Sequence, residues 1–299
     1  LLLLLTSISF VGFSQYKGNP GKAKSLLEKS ELKSDESEIR ELLINAKGEI
    51  DAAILLTKQS EKANTWLIRG AVYSAIAKGY TDIDNDAIEK SIEAYDKIGT
   101  EIQTNDFNLI KNITAGRQNL SSYFINNAIR ALQGAGEPNY DIAFEAFSNS
   151  LRVNPEDTLG LLYGGYVAEQ LKKYDNALSF YDKLMSINRL NDKNTNTIYQ
   201  NSINILYQNC SIFTECETYQ RTLGLIERAK ALFPGNNYYP SVEINIAMKL
   251  NKVEEARIKI DKQLEKSGWR LLDDEYGSKN VLVESSTTKS NSRHGSIAV

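Results

Sequence analysis

Residues 140–155, YDIAFEAFSNSLRVNP, and residues 174–189, YDNALSFYDKLMSINR, are one pattern written twice. Tyr140 returns as Tyr174, Asp141 as Asp175, Ala143 as Ala177, Phe147 as Tyr181, Leu151 as Met185, Val153 as Ile187 and Asn154 as Asn188, each 34 positions later. The pattern makes sense as packing. Ala143, Phe147 and Leu151 are four apart and share one face of a predicted helix, as do Ala177, Tyr181 and Met185. A small alanine lets a partner helix approach closely, and the aromatic ring one turn later fills the groove beside it. Asn154-Pro155 ends the first helix, because the residue before proline is pushed out of helical geometry. One such helix pair cannot bury its apolar face alone, so neighbours must stack on it.

This period, with these residues, resembles the tetratricopeptide-repeat family. Gly165 stands at the family's small position, Tyr174 and Ala177 form its Tyr-x-x-Ala, Tyr181 is its aromatic, and Pro155 follows the preceding helix as its proline does. The resemblance implies an all-α fold: a right-handed superhelical solenoid of antiparallel helix hairpins, about five or six repeats with some degenerate, and no sheet. It covers roughly residues 40–266.

Outward from the centre, the repeat weakens in both directions. Residues 17–20 read as a polar turn and 21–30 as a short helix. Residues 36–58 carry Leu43, Ala46, Ile50, Ala53 and Ile54 at helical spacing, the second helix of a degenerate repeat. Residues 65–77 follow as a first helix, with Trp66, Gly70 and Tyr73 in repeat register, and 86–98 as its partner. Between them, Asp82, Asp84 and Asp86 alternate in a polar insertion that starts at Lys78. A calcium loop would need glycine at its central turn, where Ala87 stands, so the insertion reads as a solvated loop. Residues 116–133, with Phe124, Ala128 and Ala131, supply another first helix. Residues 195–209 (Ile198, Ser202, Ile205) pair with 219–233, and 239–266 form a last hairpin. The expected organisation is a secretory signal at 1–14, a polar and partly helical segment at 15–35, the repeat domain at 36–267 and an irregular or disordered tail at 268–299.

A net charge of −3 and an isoelectric point near 5.5 lack the basic footprint of a nucleic-acid partner. With His294 as the single histidine and two cysteines, no zinc site or Ser-His-Asp triad assembles, so no enzyme, metal or cofactor is expected. Residues 1–13 are an apolar run too short to span a membrane, which takes roughly 20 residues. Gly12 and Ser14 are the small residues of a signal-peptidase site, with cleavage expected after Ser14. Together with the repeats, this start resembles exported tetratricopeptide-repeat proteins of Gram-negative bacteria, which implies a periplasmic or secreted protein; the alternative reading of the apolar run is a buried first helix. Cys210 and Cys216 have two readings there: a disulfide across an expanded turn, or two free thiols.

The resemblance implies that a protein or peptide partner lies along the concave face lined by first helices. The residues it places there are Leu162, Tyr166, Glu169, Gln170, Tyr199, Ile203 and Asn245. One subgroup of the family clamps a terminal carboxylate with Lys and Asn at positions held here by Leu162 and Tyr166, so that activity is not carried over. The alternative is a soluble carbohydrate- or metabolite-binding protein that stacks ligands on concave-face tyrosines.

Overall fold

The computed structural model describes residues 16–134, 136–209, 217–249, 253–266, 282–283 and 297–298. The expected signal segment 1–14, Cys210 and Cys216 with both readings of their thiols, the expected domain end at 267, and the tail from 268 apart from two short strands all lie outside the described residues. The chain divides into two compact units, up to Ile187 and from Asn188. Unit one holds α1 (Pro20–Glu31), α2 (Glu36–Ile54), α3 (Thr57–Ser60), α4 (Ala63–Ala77), α5 (Ala87–Thr100), α6 (Phe107–Gln133), α7 (Tyr140–Val153), α8 (Thr158–Gln170) and α9 (Tyr174–Ile187). Unit two holds α10 (Asp192–Asn209), α11 (Glu217–Leu232), α12 (Tyr238–Lys249) and α13 (Val253–Lys266). Helices pack as adjacent pairs: α1 on α2, α4 on α5, α6 on α7 and α8 on α9, then α10 on α11 and α12 on α13. One departure from an all-helical chain is a two-residue antiparallel ladder, β1 (Leu282–Val283) with β2 (Ile297–Ala298), registered Leu282 to Ala298. The ladder is two residues long on each side, and the architecture is all-helical as expected.

The helix starts follow local chemistry. Asn19 caps α1 by accepting from the Lys22 amide, with Pro20 at the first position, where a missing N–H costs nothing. Asp35, Asp106, Asn139 and Asp157 cap α2, α6, α7 and α8 in the same way. Asn154 ends α7 in extended geometry before Pro155, as proline requires. Two boundaries differ from expectation. α6 begins at Phe107 rather than 116, because Asp106 accepts from the Asn108 and Leu109 amides and nucleates an earlier turn. α2 stops at Ile54, and the chain takes the single turn of α3 before α4.

The repeat positions form the core. Ala143 and Phe147 are fully buried, and so is Ala177, with Tyr181 almost so. One expected position shifts. Met185 is only partly buried, and Leu184, one residue earlier, takes the inward place. A larger cluster joins Ala23 and Leu27 of α1, Leu43, Ala46 and Ile50 of α2, Val72 and Ile76 of α4, and Leu120 and Phe124 of α6.

Three carboxylates pin elements together at the cost of acid resistance. Glu49 takes the Lys22 ammonium at 2.7 Å and the Asn19 amide at 3.1 Å. Burial pushes its pKa up, yet these partners outweigh burial and hold it below the ordinary 4.5. Asp84 is lowered by Lys90, the Asp86 amide and Lys47 against the opposing effect of burial. Glu243 behaves likewise between Lys230 and Lys259, each at 2.8 Å. Because the folded pKa values lie below the unfolded ones, this stability is complete above the unfolded values and is lost as pH falls through the folded ones. Urea midpoints should therefore hold steady down to about pH 5 and drop by pH 3. The Glu49→Gln variant should lose less between the two pH values than the parent. Equal midpoints for the parent at pH 7 and pH 3 would refute the assignment.

Candidate ligand-binding groove

A groove of about 410 Å³ opens between α1, α4 and α6, with the start of α2 at one wall. Its apolar surface comes from Leu27, Ile39, Leu43, Ala71 and Ala75. Ala71, Ser74, Ala75 and Lys78 are spaced three and four apart, so one stripe of α4 and its C-cap faces the opening. Ser74 shares a 2.8 Å hydrogen bond with Ser91, whose hydroxyl also donates to the Gly70 carbonyl at 3.0 Å. Tyr95 of α5 reaches the groove from behind, with its hydroxyl 3.5 Å from Ser74.

Two glycines make that reach possible. A Cβ at Gly70 of α4 or at Gly116 of α6 would overlap Tyr95, the first at the ring and the second at the hydroxyl. The ring therefore occupies a slot left by two missing side chains on two helices. Burial pushes the Tyr95 hydroxyl pKa up, against the Ser74 hydrogen bond and the Arg117 guanidinium.

Charge sits at the rim. Lys33 pairs with Glu38 at 2.6 Å, and Glu31 stands nearby on the last turn of α1. Lys78 differs from them: it is half-buried, and among the described residues its ammonium has neither a hydrogen bond nor an ion pair. Burial lowers its pKa, with the Glu31 charge opposing.

The residues expected to bind a partner fall elsewhere and divide sharply. On α8, Tyr166 and Gln170 are exposed and Leu162 is half-buried, beside exposed Leu159 and Tyr163. Glu169 accepts a hydrogen bond from Tyr181, which ties it into the α8–α9 pair. Tyr166 is bound to Tyr140, whose hydrogen bond pushes its hydroxyl pKa up. On α10, Tyr199 and Ile203 are 6% and 0% exposed, so neither presents a surface to a partner. Correcting that expectation needs only the hydrophobic effect: apolar side chains on α10 are used for packing. Asn245 is exposed on α12. The sequence reading missed the groove of α4 and took Lys78 as the beginning of a solvated insertion.

Behind α4 lies a different polar cluster. Asp51 of α2 pairs with Arg69 and Lys47 and accepts from the Tyr73 hydroxyl at 2.9 and 2.8 Å. Lys90 holds Asp84 at 2.8 Å, and Arg69, Lys90 and Lys47 surround the Tyr73 ring at 4.6, 5.6 and 6.0 Å. Asp84 is therefore an interior partner of two lysines, with 8% of its side chain exposed, rather than part of a solvated loop. Asp82 pairs with Arg40. Among the described residues no group of side chains is arranged to hold a metal ion, and no helix is long and apolar enough to cross a membrane.

No protein-family model matches this chain, and no curated protein matches it. The function must therefore be argued from the groove. Its three main helices, α1, α4 and α6, are the first members of successive packed pairs, and each lines the same opening.

Proposed function

We propose that the protein is a non-enzymatic helical-repeat scaffold of the tetratricopeptide type, and that it holds a protein or peptide partner along its first helices. The observation that carries this reading is the groove itself, to which α1, α4 and α6 contribute jointly. The exposed stripe Leu159, Tyr163, Tyr166 and Gln170 on α8 adds a second first-helix surface with aromatic anchors. The repeat assignment is supported by a shared local device: Gly70 makes room for Tyr95 in one pair, and Gly165 makes room for Tyr181 in another. The right-handed sense of the array, its number of repeats and its export by the apolar start belong to the same proposal. The carbohydrate-binding alternative draws less support, because the bulkiest buried side chains include Tyr73, Tyr181 and Tyr239, which are committed to packing.

Site-specific photocrosslinking in the native host tests the reading. A photoreactive residue at Ala75 in the groove, or at Tyr166 on α8, should yield a discrete protein adduct. The same residue at the exposed Lys58 of α3 should not. Equal yields at all three positions, or adducts at Lys58 alone, would defeat the proposal.

A further inference from the structure

The groove holds one feature that a generic protein-binding surface does not explain, the solitary Lys78 ammonium. We propose that the groove is a binding site for a carboxylate carried on a short apolar body, with Lys78 as the counter-ion. Most of the charged groups that line or neighbour the α4 helix already have partners: Lys33 has Glu38, Arg69 has Asp51, and Lys47 and Lys90 have Asp84. Lys78 has none among the described residues, and it stands beside apolar Leu27, Ala71 and Ala75 rather than out in solvent. An ammonium drawn partly out of water without an anion in direct contact is unfavourable, and an incoming carboxylate reduces that penalty. The apolar wall then recognises the rest of the ligand.

The volume limits the ligand's size. About 410 Å³ lies at the small end of ligand sites and suits a short chain or one to two side chains. Two sources offer the same chemistry: a free amphipathic acid, or an acidic residue next to a bulky apolar one in a polypeptide. The inference goes beyond the scaffold reading and does not depend on it.

Isothermal titration of the whole chain separates the sources. Octanoate stands for the free acid and N-acetyl-Leu-Asp-amide for the polypeptide, with octanol and octylammonium as controls. At least one of the acids should bind with unit stoichiometry, more tightly than either control. Lys78→Met keeps the aliphatic stem and should weaken that acid on the order of tenfold, as expected for loss of a charged hydrogen bond. Lys78→Arg should restore most of the affinity, and Lys58→Met, on exposed α3 away from the groove, should change it little. Thermal melts of each variant confirm that the fold is kept.

The pH profile adds an independent readout. Glu31, Lys33, Tyr80 and Tyr95 are the titratable groups that face Lys78 across the groove. Lys33 is held protonated by Glu38, and Tyr95 is pushed towards its neutral form, so neither changes charge ahead of Lys78. Affinity should fall as pH rises through the lowered Lys78 pKa, and the Lys78→Met profile should be flat over that span. Octanoate binding assigns a free acid, and peptide binding alone assigns a partner side chain. Absence of binding by both acids, an unchanged affinity in Lys78→Met, or equal binding of octanol would overturn the proposal.

Discussion

Replacing Asp51 by alanine is expected to destabilise the unit that ends at Ile187 by about 3–5 kcal/mol, the usual range for breaking a buried ion pair from one side. Among the described residues, Asp51 is the only carboxylate placed against Arg69, whose side chain is 8% exposed. The buried Arg69 Nε already lacks a hydrogen-bond partner among the described residues. Removing Asp51 leaves the guanidinium facing only the Tyr73 ring, and strands the Tyr73 hydroxyl, which burial and the Asp51 charge hold firmly in its protonated form. Urea denaturation followed by Trp66 fluorescence gives the number. The double variant Asp51→Ala with Arg69→Met should recover part of the loss, because an absent pair costs less than a half-present one. A loss under about 1 kcal/mol for Asp51→Ala would mean that water enters the cluster and screens it.

The second expected result is a reversal of sign. Alanine normally stabilises a helix relative to glycine by roughly 0.5–1 kcal/mol. Gly165→Ala should instead destabilise, by about 1–3 kcal/mol, because its Cβ would meet the nearly fully buried Tyr181 ring. That ring cannot retreat, since its hydroxyl is fixed to Glu169. Gly224 on α11 is the control. A Cβ there meets nothing within 4 Å, so Gly224→Ala should gain the ordinary helix increment. Thermal melts of the two variants should move in opposite directions. Two shifts of the same sign would show that the α8–α9 crossing is looser than described.

The parts of the fold visible in the sequence were those whose partners lie close along the chain. Ala143 and Phe147 announce their burial by spacing alone, and recur 34 positions later as Ala177 and Tyr181. Asp106 was a readable start signal for α6, yet its first turns mix exposed Phe107 and Ile110 with buried Leu109, so the apolar residues there do not mark one inward face. The candidate site was less legible for a related reason. Lys78 is polar and follows a helix, which reads locally as solvated. Its burial comes from α1, some fifty residues earlier, and α6, some forty later, and no local pattern reports that. Tyr199 and Ile203 failed in the opposite sense: apolar residues on a first helix were read as contact surface, although packing had first claim on them.

The slot that holds Tyr95 also bears on how this protein is able to diverge. A side chain acquired at Gly70 or Gly116 displaces the ring, and a smaller residue at 95 leaves a void bordered by both helices. Positions 70, 95 and 116 are therefore not three independent sites for drift. They form one inherited unit on three helices, in which the first viable change must be to the ring, with the glycines free to vary only afterwards.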